Sequence, residues 1–299
     1  MRAVRNSATA HATSTEGFGQ AGPASGAGPT VGVLVEERYL AQRQPAGMMA
    51  ALAARGCAVR LIEPRRSAWK AGQDRWLRDL DVVVARGRSR DLFNLLATAE
   101  SYGLPTLNNH AAIRAVHNKV EMTVRLAADR LPMPRTYLDT LEGLAARLRP
   151  ADYPLITKPI FGDNAHGLRV FRSADELRAV RSSETVIGQR FLATDGFDVK
   201  VYAIGHDVWV VRKPSPLAPN ASAEPELLPV TREARELAGR CGRLFGLQLY
   251  GVDCVATARG LAVIEVNDYP NYSGVPQADE RLAHHVERWL DGKRMAAAL

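Results

Sequence analysis

Cysteine is scarce: three residues in 299, Cys57, Cys241 and Cys254. That is too few and too scattered for a disulfide framework or a thiolate zinc site, and a reducing, cytoplasmic setting is expected. Long apolar runs are missing too. No stretch reaches the ~18 residues of a membrane span, and the first residues lack the apolar core of a secretory signal, so no membrane partner is expected. Lysine is rare: of 39 basic residues 33 are arginine and six are lysine (Lys70, Lys119, Lys158, Lys200, Lys213, Lys293). A lysine kept against that bias marks a place where a slim point charge is useful. Blocks of one sign are also absent. The net charge of +7 is spread along the chain without the basic stripe that nucleic acid needs. The surplus suits an anionic small ligand.

What remains is a globular composition, 46% hydrophobic and 24% charged, long enough for two or three domains. No internal repeat is present. Residues 1–29 are mostly Ala, Gly, Ser, Thr and Pro, a flexible leader with little to bury. Short β-branched runs at Val31–Val35, Ala58–Ile62 and Asp81–Ala85 read as buried strands. Helices at Ala46–Arg55 and Asp91–Tyr102 separate them, each stopped by a glycine. Strands alternating with helices predict a small parallel sheet over 30–112. A second unit, 113–187, holds a helix over Asn118–Asp129 and a strand over Tyr153–Pro159. A returning strand at Leu168–Phe171 and a helix from Ser173, with Glu176 at the capping-box position, complete it. A third unit, 188–293, begins within the strand Val186–Leu192. It continues with the hairpin Asp198–Ile204 and Val208–Arg212, a helix over Thr231–Leu244, a hairpin of Tyr250–Thr257 with Leu261–Val266, and a helix over Asp279–Leu290. Residues 294–299 read as a tail.

The chemistry lies mainly in the last hairpin. Asp253 and Glu265 are expected to face each other, with Asn267 two residues further along the same strand face. Two carboxylates and an amide oxygen form a hard-oxygen site that suits magnesium; the plain alternative is a set of solvated strand-end carboxylates. Lys158 ends an apolar strand before a loop bounded by Gly162 and Gly167, which is either an ordinary turn or a backbone cradle for phosphate. It matches neither a Walker loop nor a dinucleotide fingerprint. Lys200 shares a strand face with Asp198 and Tyr202, and Arg212 and Lys213 end the partner strand. Cations on adjacent strands call for an anion between them, or else face solvent.

In this order the residues resemble the ATP-grasp superfamily. The pattern is Lys119 on a helix, Lys158 before a glycine loop, Gln189-Arg190-Phe191-Leu192, Asp198 with Lys200, Asp253, then Glu265-Val266-Asn267. The resemblance implies a small N-terminal parallel α/β domain and two α+β lobes clamping ATP. Lys119 and Lys158 would touch the phosphates, and the loop Gly162–Gly167, with His166, would be the lid. Gln189, Arg190, Phe191 and Leu192 would form the hinge beside adenine, and Asp198 would complete the nucleotide set. Asp253, Glu265 and Asn267 would hold magnesium, or manganese in its place. Arg190 departs from the usual glutamate.

Two branches compete. The ribosomal-protein glutamate ligases and glutathione synthetases imply a carboxylate–amine ligase that forms an acyl phosphate, with Lys200 and Arg212 as the catalytic cations. The inositol trisphosphate kinases share the run Asp198–Gly205, with Lys200 where ligases carry arginine, and His166 would then meet an acceptor phosphate. A nucleotide-binding scaffold without activity is a third reading, disfavoured by the complete set of ligand residues. The Pro- and Ala-rich stretch Ser215–Pro229 reads as a mobile loop. The partners are ATP and a small-molecule or peptide acceptor.

Overall fold

A computed structural model describes residues 28–66, 75–162, 167–217 and 224–297. The expected leader and His166 lie outside the described residues, apart from the leader's last two positions.

The first layer is a parallel sheet. In chain order it comprises β1 (Thr30–Val35), α1 (Glu37–Leu40), α2 (Arg43–Ala54), β2 (Ala58–Ile62), α3 (Arg75–Arg78), β3 (Val82–Arg86), α4 (Arg90–Ser101) and β4 (Thr106–Leu107). The strands run in the order β2-β1-β3-β4, all parallel. Every residue of β3 and all but the first of β1 are buried, as expected for central strands covered on both faces. Next come α5 (His110–His117) and α6 (Lys119–Ala128). They meet at Asn118, whose side-chain oxygen accepts from the amides of Val120 and Glu121. That N-cap starts α6 at Lys119.

The middle layer contains β5 (Thr136–Asp139), α7 (Leu141–Arg147), β6 (Leu155–Pro159), β7 (Arg169–Phe171), α8 (Ala174–Arg178) and β8 (Val186–Arg190). Its antiparallel sheet has the order β5-β8-β6-β7. β8 therefore pairs wholly within this sheet. Ser173 caps α8 as expected, accepting from the Glu176 amide. The Glu176 carboxylate, however, reaches back to the Arg172 amide rather than to that of Ser173.

The last layer holds β9 (Phe197–Ile204), β10 (Asp207–Pro214), β11 (Glu226–Leu228), α9 (Arg232–Phe245), β12 (Leu249–Thr257), β13 (Gly260–Asp268) and α10 (Ala278–Ala297). The antiparallel order is β11-β10-β9-β12-β13. Two expectations change here. The stretch Ser215–Pro229 is not loop throughout, because Glu226–Leu228 pairs with Val210–Arg212. The C-terminal helix runs past Leu290 and through most of the supposed tail, with Arg294 bonding Asp81 beneath the first sheet.

Alternation along β9 sorts the last sheet into two faces. Val201 and Ala203 pack with Val252, Cys254 and Val266 against α9. Tyr202 and Ile204 pack on the opposite face with Tyr269, Tyr272 and the α10 residues Leu282 and Val286. Residues 198 and 200 continue that second face to the sheet's other end, where the apolar packing stops and a cleft opens.

Candidate active site

The cleft encloses about 880 Å³ and is lined from all three layers. Its floor is the end of the last sheet. Register places Lys200 beside Asp253, Asp253 beside Glu265, and Gly251 beside Asn267. Asp253, Glu265 and Asn267 thus share one face, as expected. A register irregularity follows Asp253 on β12; such bulges re-aim side chains beside functional sites.

Each carboxylate already meets a lysine. Lys200 Nζ lies 2.7 Å from Asp253 Oδ2, and the Asn267 amide donates to the same oxygen at 3.3 Å. Lys119 Nζ lies 2.9 Å from Glu265 Oε1 and donates to the Gly162 carbonyl at 2.7 Å. Burial pushes the Glu265 carboxyl up, yet the ammonium groups of Lys119 and Lys158 bring it below its ordinary value. Burial also opposes the charge on Lys200, but Asp253 outweighs it and raises that pKa. The oxygen set fits a hard cation: two carboxylates opposed across a ladder and an amide on the same face. Among the described residues no third carboxylate, histidine or cysteine joins it as a ligand cluster.

Lys158 sits on β6 and is buried. Its ammonium donates to Gln189 Oε1 at 3.0 Å. Gln189 Nε2 donates to Thr136 Oγ1, which donates to the Pro134 carbonyl. Burial drives the Lys158 pKa to about 8; Glu265 opposes the fall and Lys119 adds to it. The Gln189 side chain therefore serves the lysine. At the hinge, the amides of Arg190 and Phe191 are bonded to the carbonyls of Arg135 and Pro154. The Arg190 guanidinium turns away to the Ala151 carbonyl. Phe191 and Leu192 line the cleft.

Asp198 lines the cleft opposite Lys213 in the ladder. Burial raises its carboxyl, against the pull of Lys200. Gly162 and Leu168 line the cleft, whereas Gly167 does not; its φ of +77° shapes the turn entering β7.

Arg212 requires a correction. It pairs with Val199, on the opposite strand face from Lys200, and is ion-paired with Asp195 at 2.8 Å and Glu226 at 3.7 Å. Its guanidinium stacks over Phe197. One residue's difference in a period of two puts it outside the cleft and puts Lys213 inside. Sequence reasoning also missed the first sheet's contribution, Tyr39, Gln42, Arg86 and Arg88. The signal was present: Arg86-Gly87-Arg88 follows directly on a buried parallel strand, and such sheets bind ligands at the carboxyl ends of their strands.

Comparison with known proteins agrees with this geometry. The family model for the RimK-like ATP-grasp domain matches residues 116–289. A probable alpha-L-glutamate ligase of Stenotrophomonas maltophilia (strain K279a) is 26% identical over 276 residues, covering 81% of this chain and 93% of the relative. The alpha-aminoadipate–LysW ligase LysX of Saccharolobus solfataricus is 25% identical over 213 residues, covering 65% and 77%. Among solved structures, a RimK domain ATP-grasp protein from Sphaerobacter thermophilus superposes with a TM-score of 0.69 at 20% identity, covering 86% of this chain and 98% of that one. These relatives are named as ligases or as RimK-type ATP-grasp proteins; none of the three is named as a kinase. With a model match over more than half its length, on an ATP-grasp fold whose cleft collects the lysines and carboxylates described above, the chain belongs to the RimK-like ATP-grasp family of ATP-dependent ligases.

Proposed function

We propose that this protein is a magnesium-dependent carboxylate–amine ligase that activates a substrate carboxylate as an acyl phosphate. The observation that carries the reading is the meeting in one cleft of Lys119, Lys158 and Lys200 with Asp253 and Glu265, from chain-distant segments. Such a set is suited to a triphosphate and its counter-cation. Phosphoryl transfer asks the protein mainly for positioning and charge.

In this reading Lys119 and Lys158 hold phosphate oxygens, and the Leu192 amide and hinge carbonyls receive the base. Asp253, Glu265 and Asn267 would hold magnesium. When bound, that ion draws charge from the phosphoryl oxygens. A carboxylate oxygen attacks the γ-phosphorus and the bond to the bridging oxygen breaks, releasing ADP. An amine then attacks the acyl carbon, the carbon–oxygen bond to phosphate breaks, and the amine loses a proton. Lys200 and Lys213 face the cleft where negative charge builds in these steps. The segments 30–112, 113–187 and 188–293 act as the acceptor-side domain and the two clamping lobes, with β8 grouped with the middle lobe. The names of the relatives support an amino acid or peptide as the reacting partner. A cytoplasmic setting accords with the free, buried cysteines.

The test is a hydroxylamine trap. Incubation with ATP, magnesium and a panel of carboxylates is expected to yield a hydroxamate with at least one of them, together with ADP. ADP formation with transfer of phosphate to a hydroxyl, and no hydroxamate, would overturn the ligase chemistry.

A further inference from the structure

We propose that Arg88 is a positioning residue for the cation site: it holds the Asn267 amide with its oxygen turned away from the acidic hairpin, and its guanidinium passes to Asp268 when magnesium claims that oxygen. The inference deepens the ligase reading and rests on it. Asn267 stands between a donor and an acceptor. Arg88 Nη2 donates to its Oδ1 at 3.0 Å, and its Nδ2 donates to Asp253 Oδ2 at 3.3 Å. A guanidinium only donates and an ionised carboxylate only accepts, so these neighbours fix the amide in one orientation. Its hydrogens point to the hairpin acids and its oxygen to the first sheet. A cation shared with Asp253 and Glu265 needs the reverse, because only the oxygen can ligate it.

Arg88 has a second acceptor within reach. Asp268 Oδ1 lies 3.9 Å from the same Nη2. That spacing makes an ion pair but is too long for a hydrogen bond. Asp268 is 6% exposed, and its Oδ1 accepts no hydrogen bond among the described residues. A buried acceptor without a donor is costly. A shift of the guanidinium by about 1 Å would satisfy it and give up Asn267. The backbone below stays where it is, because the Glu36 carboxylate accepts from the Arg88 and Ser89 amides. Only the end of the side chain has to move.

Two hydrogen-bond arrangements thus share one set of residues. In the first, Arg88 holds the Asn267 oxygen and Asp268 Oδ1 goes without a donor. In the second, the Asn267 oxygen faces the hairpin and Arg88 is bonded to Asp268. Turning the amide sends its hydrogens toward the guanidinium, and two donors cannot share that space. The amide and Arg88 therefore move together. Arg88 belongs to the loop that follows β3, so loading of the cation on the last sheet is registered on the wall built by the first.

The experiment is calorimetric titration of the full chain with a non-hydrolysable ATP analogue, with and without magnesium. The ratio of the two affinities reports the contribution of the metal and cancels what both forms of the nucleotide feel alike. Arg88→Met leaves the Asn267 oxygen to the metal and is expected to raise the ratio about 5-fold, the scale of one hydrogen bond. Asn267→Ala is expected to lower the ratio, and in that background Arg88→Met should change it less than about 1.5-fold. A general charge effect would instead appear in both backgrounds. Asp268→Asn weakens the pull on Arg88 and should lower the ratio about 3-fold, but not once Arg88 is replaced. A structure of the unaltered protein with magnesium and the analogue is expected to show Arg88 within hydrogen-bond reach of Asp268 Oδ1, and it decides alone if the variants do not fold. Equal effects of Arg88→Met in both backgrounds, or an Arg88 still bonded to the Asn267 oxygen in that structure, would overturn the proposal and leave the ligase reading standing. A ratio near one in the unaltered protein would reject the magnesium site, and with it both the reading and this inference.

Discussion

Lys200 and Asp253 lie opposite each other on adjacent strands, with the ammonium 2.7 Å from the carboxylate. Lys119, at the start of α6, pairs with Glu265 of β13 at 2.9 Å. The two carboxylates proposed to hold a cation are thus each held by a lysine, whereas Lys158 is held by the Gln189 amide. Metal-free ATP would draw the lysines off and strand the acids, whereas the magnesium complex satisfies both sets. Magnesium–ATP is therefore expected to bind at least ~10-fold more tightly than metal-free ATP, and the difference should shrink in Asp253→Asn. Calorimetric titration with and without magnesium measures it; equal affinities would refute the exchange.

Lys158 gives the site a pH dependence. Its pKa is about 8 in the folded protein against 10.5 for an ordinary lysine. Between those values the unfolded chain carries more protons, so this group makes the ligand-free fold more stable as pH rises through that window. Triphosphate favours the charged form, so nucleotide binding should take up a proton and weaken as pH rises through about 8. Titrations from pH 7 to 9, in buffers of different ionisation enthalpy, read both effects. Lys158→Met is expected to weaken binding and flatten the profile; a profile unchanged by the substitution would separate Lys158 from the phosphates.

Lys213 and Arg212 are neighbours in sequence that face opposite sides of β10. Lys213→Ala is expected to lower kcat by about 10²-fold, the scale of losing one charge-stabilising donor. Arg212→Ala removes half-exposed ion pairs and the stacking on Phe197, all on the strand face away from Lys200, and should change turnover less than about twofold. Steady-state kinetics on the two variants checks the assignment, and the reverse order of effects would contradict the strand register.

Asn108 stitches the first sheet to the last. It is 1% exposed, its amide donates to the Leu249 carbonyl at 2.7 Å, and its oxygen accepts from Gln248 and Leu249 at 2.8 and 3.1 Å. Asn108→Leu strands buried backbone groups and should cost about 2–4 kcal/mol of unfolding free energy. Denaturant titration followed by fluorescence would show it; a loss under ~0.5 kcal/mol would mean that water replaces the side chain.

The sequence exposed those parts of the fold in which a local pattern and the tertiary environment agree. β1, β2 and β3 are apolar runs with glycine or proline at their ends, and they form the expected sheet. The Asp253, Glu265 and Asn267 face followed from hairpin geometry alone. β5 escaped notice because it is four residues long and lacks clear alternation. β11 hides in a Pro-rich stretch and owes its pairing to β10 rather than to its own three residues. Arg212 was favoured on its charge, but the face on which it stands depends on pairing with β9. Arg86 and Arg88 lay far from the recognised pattern, and only the docking of the first sheet beside β13 brings them to the cleft.

The ammonium of Lys119 touches two things at once, the Glu265 carboxylate and the Gly162 carbonyl at the root of the glycine loop. Any pull on that ammonium is felt by the backbone at Gly162. Were an anion to draw Lys119 off Glu265, the same displacement would load the Gly162 carbonyl, so the acidic hairpin and the backbone just past β6 share one mechanical joint.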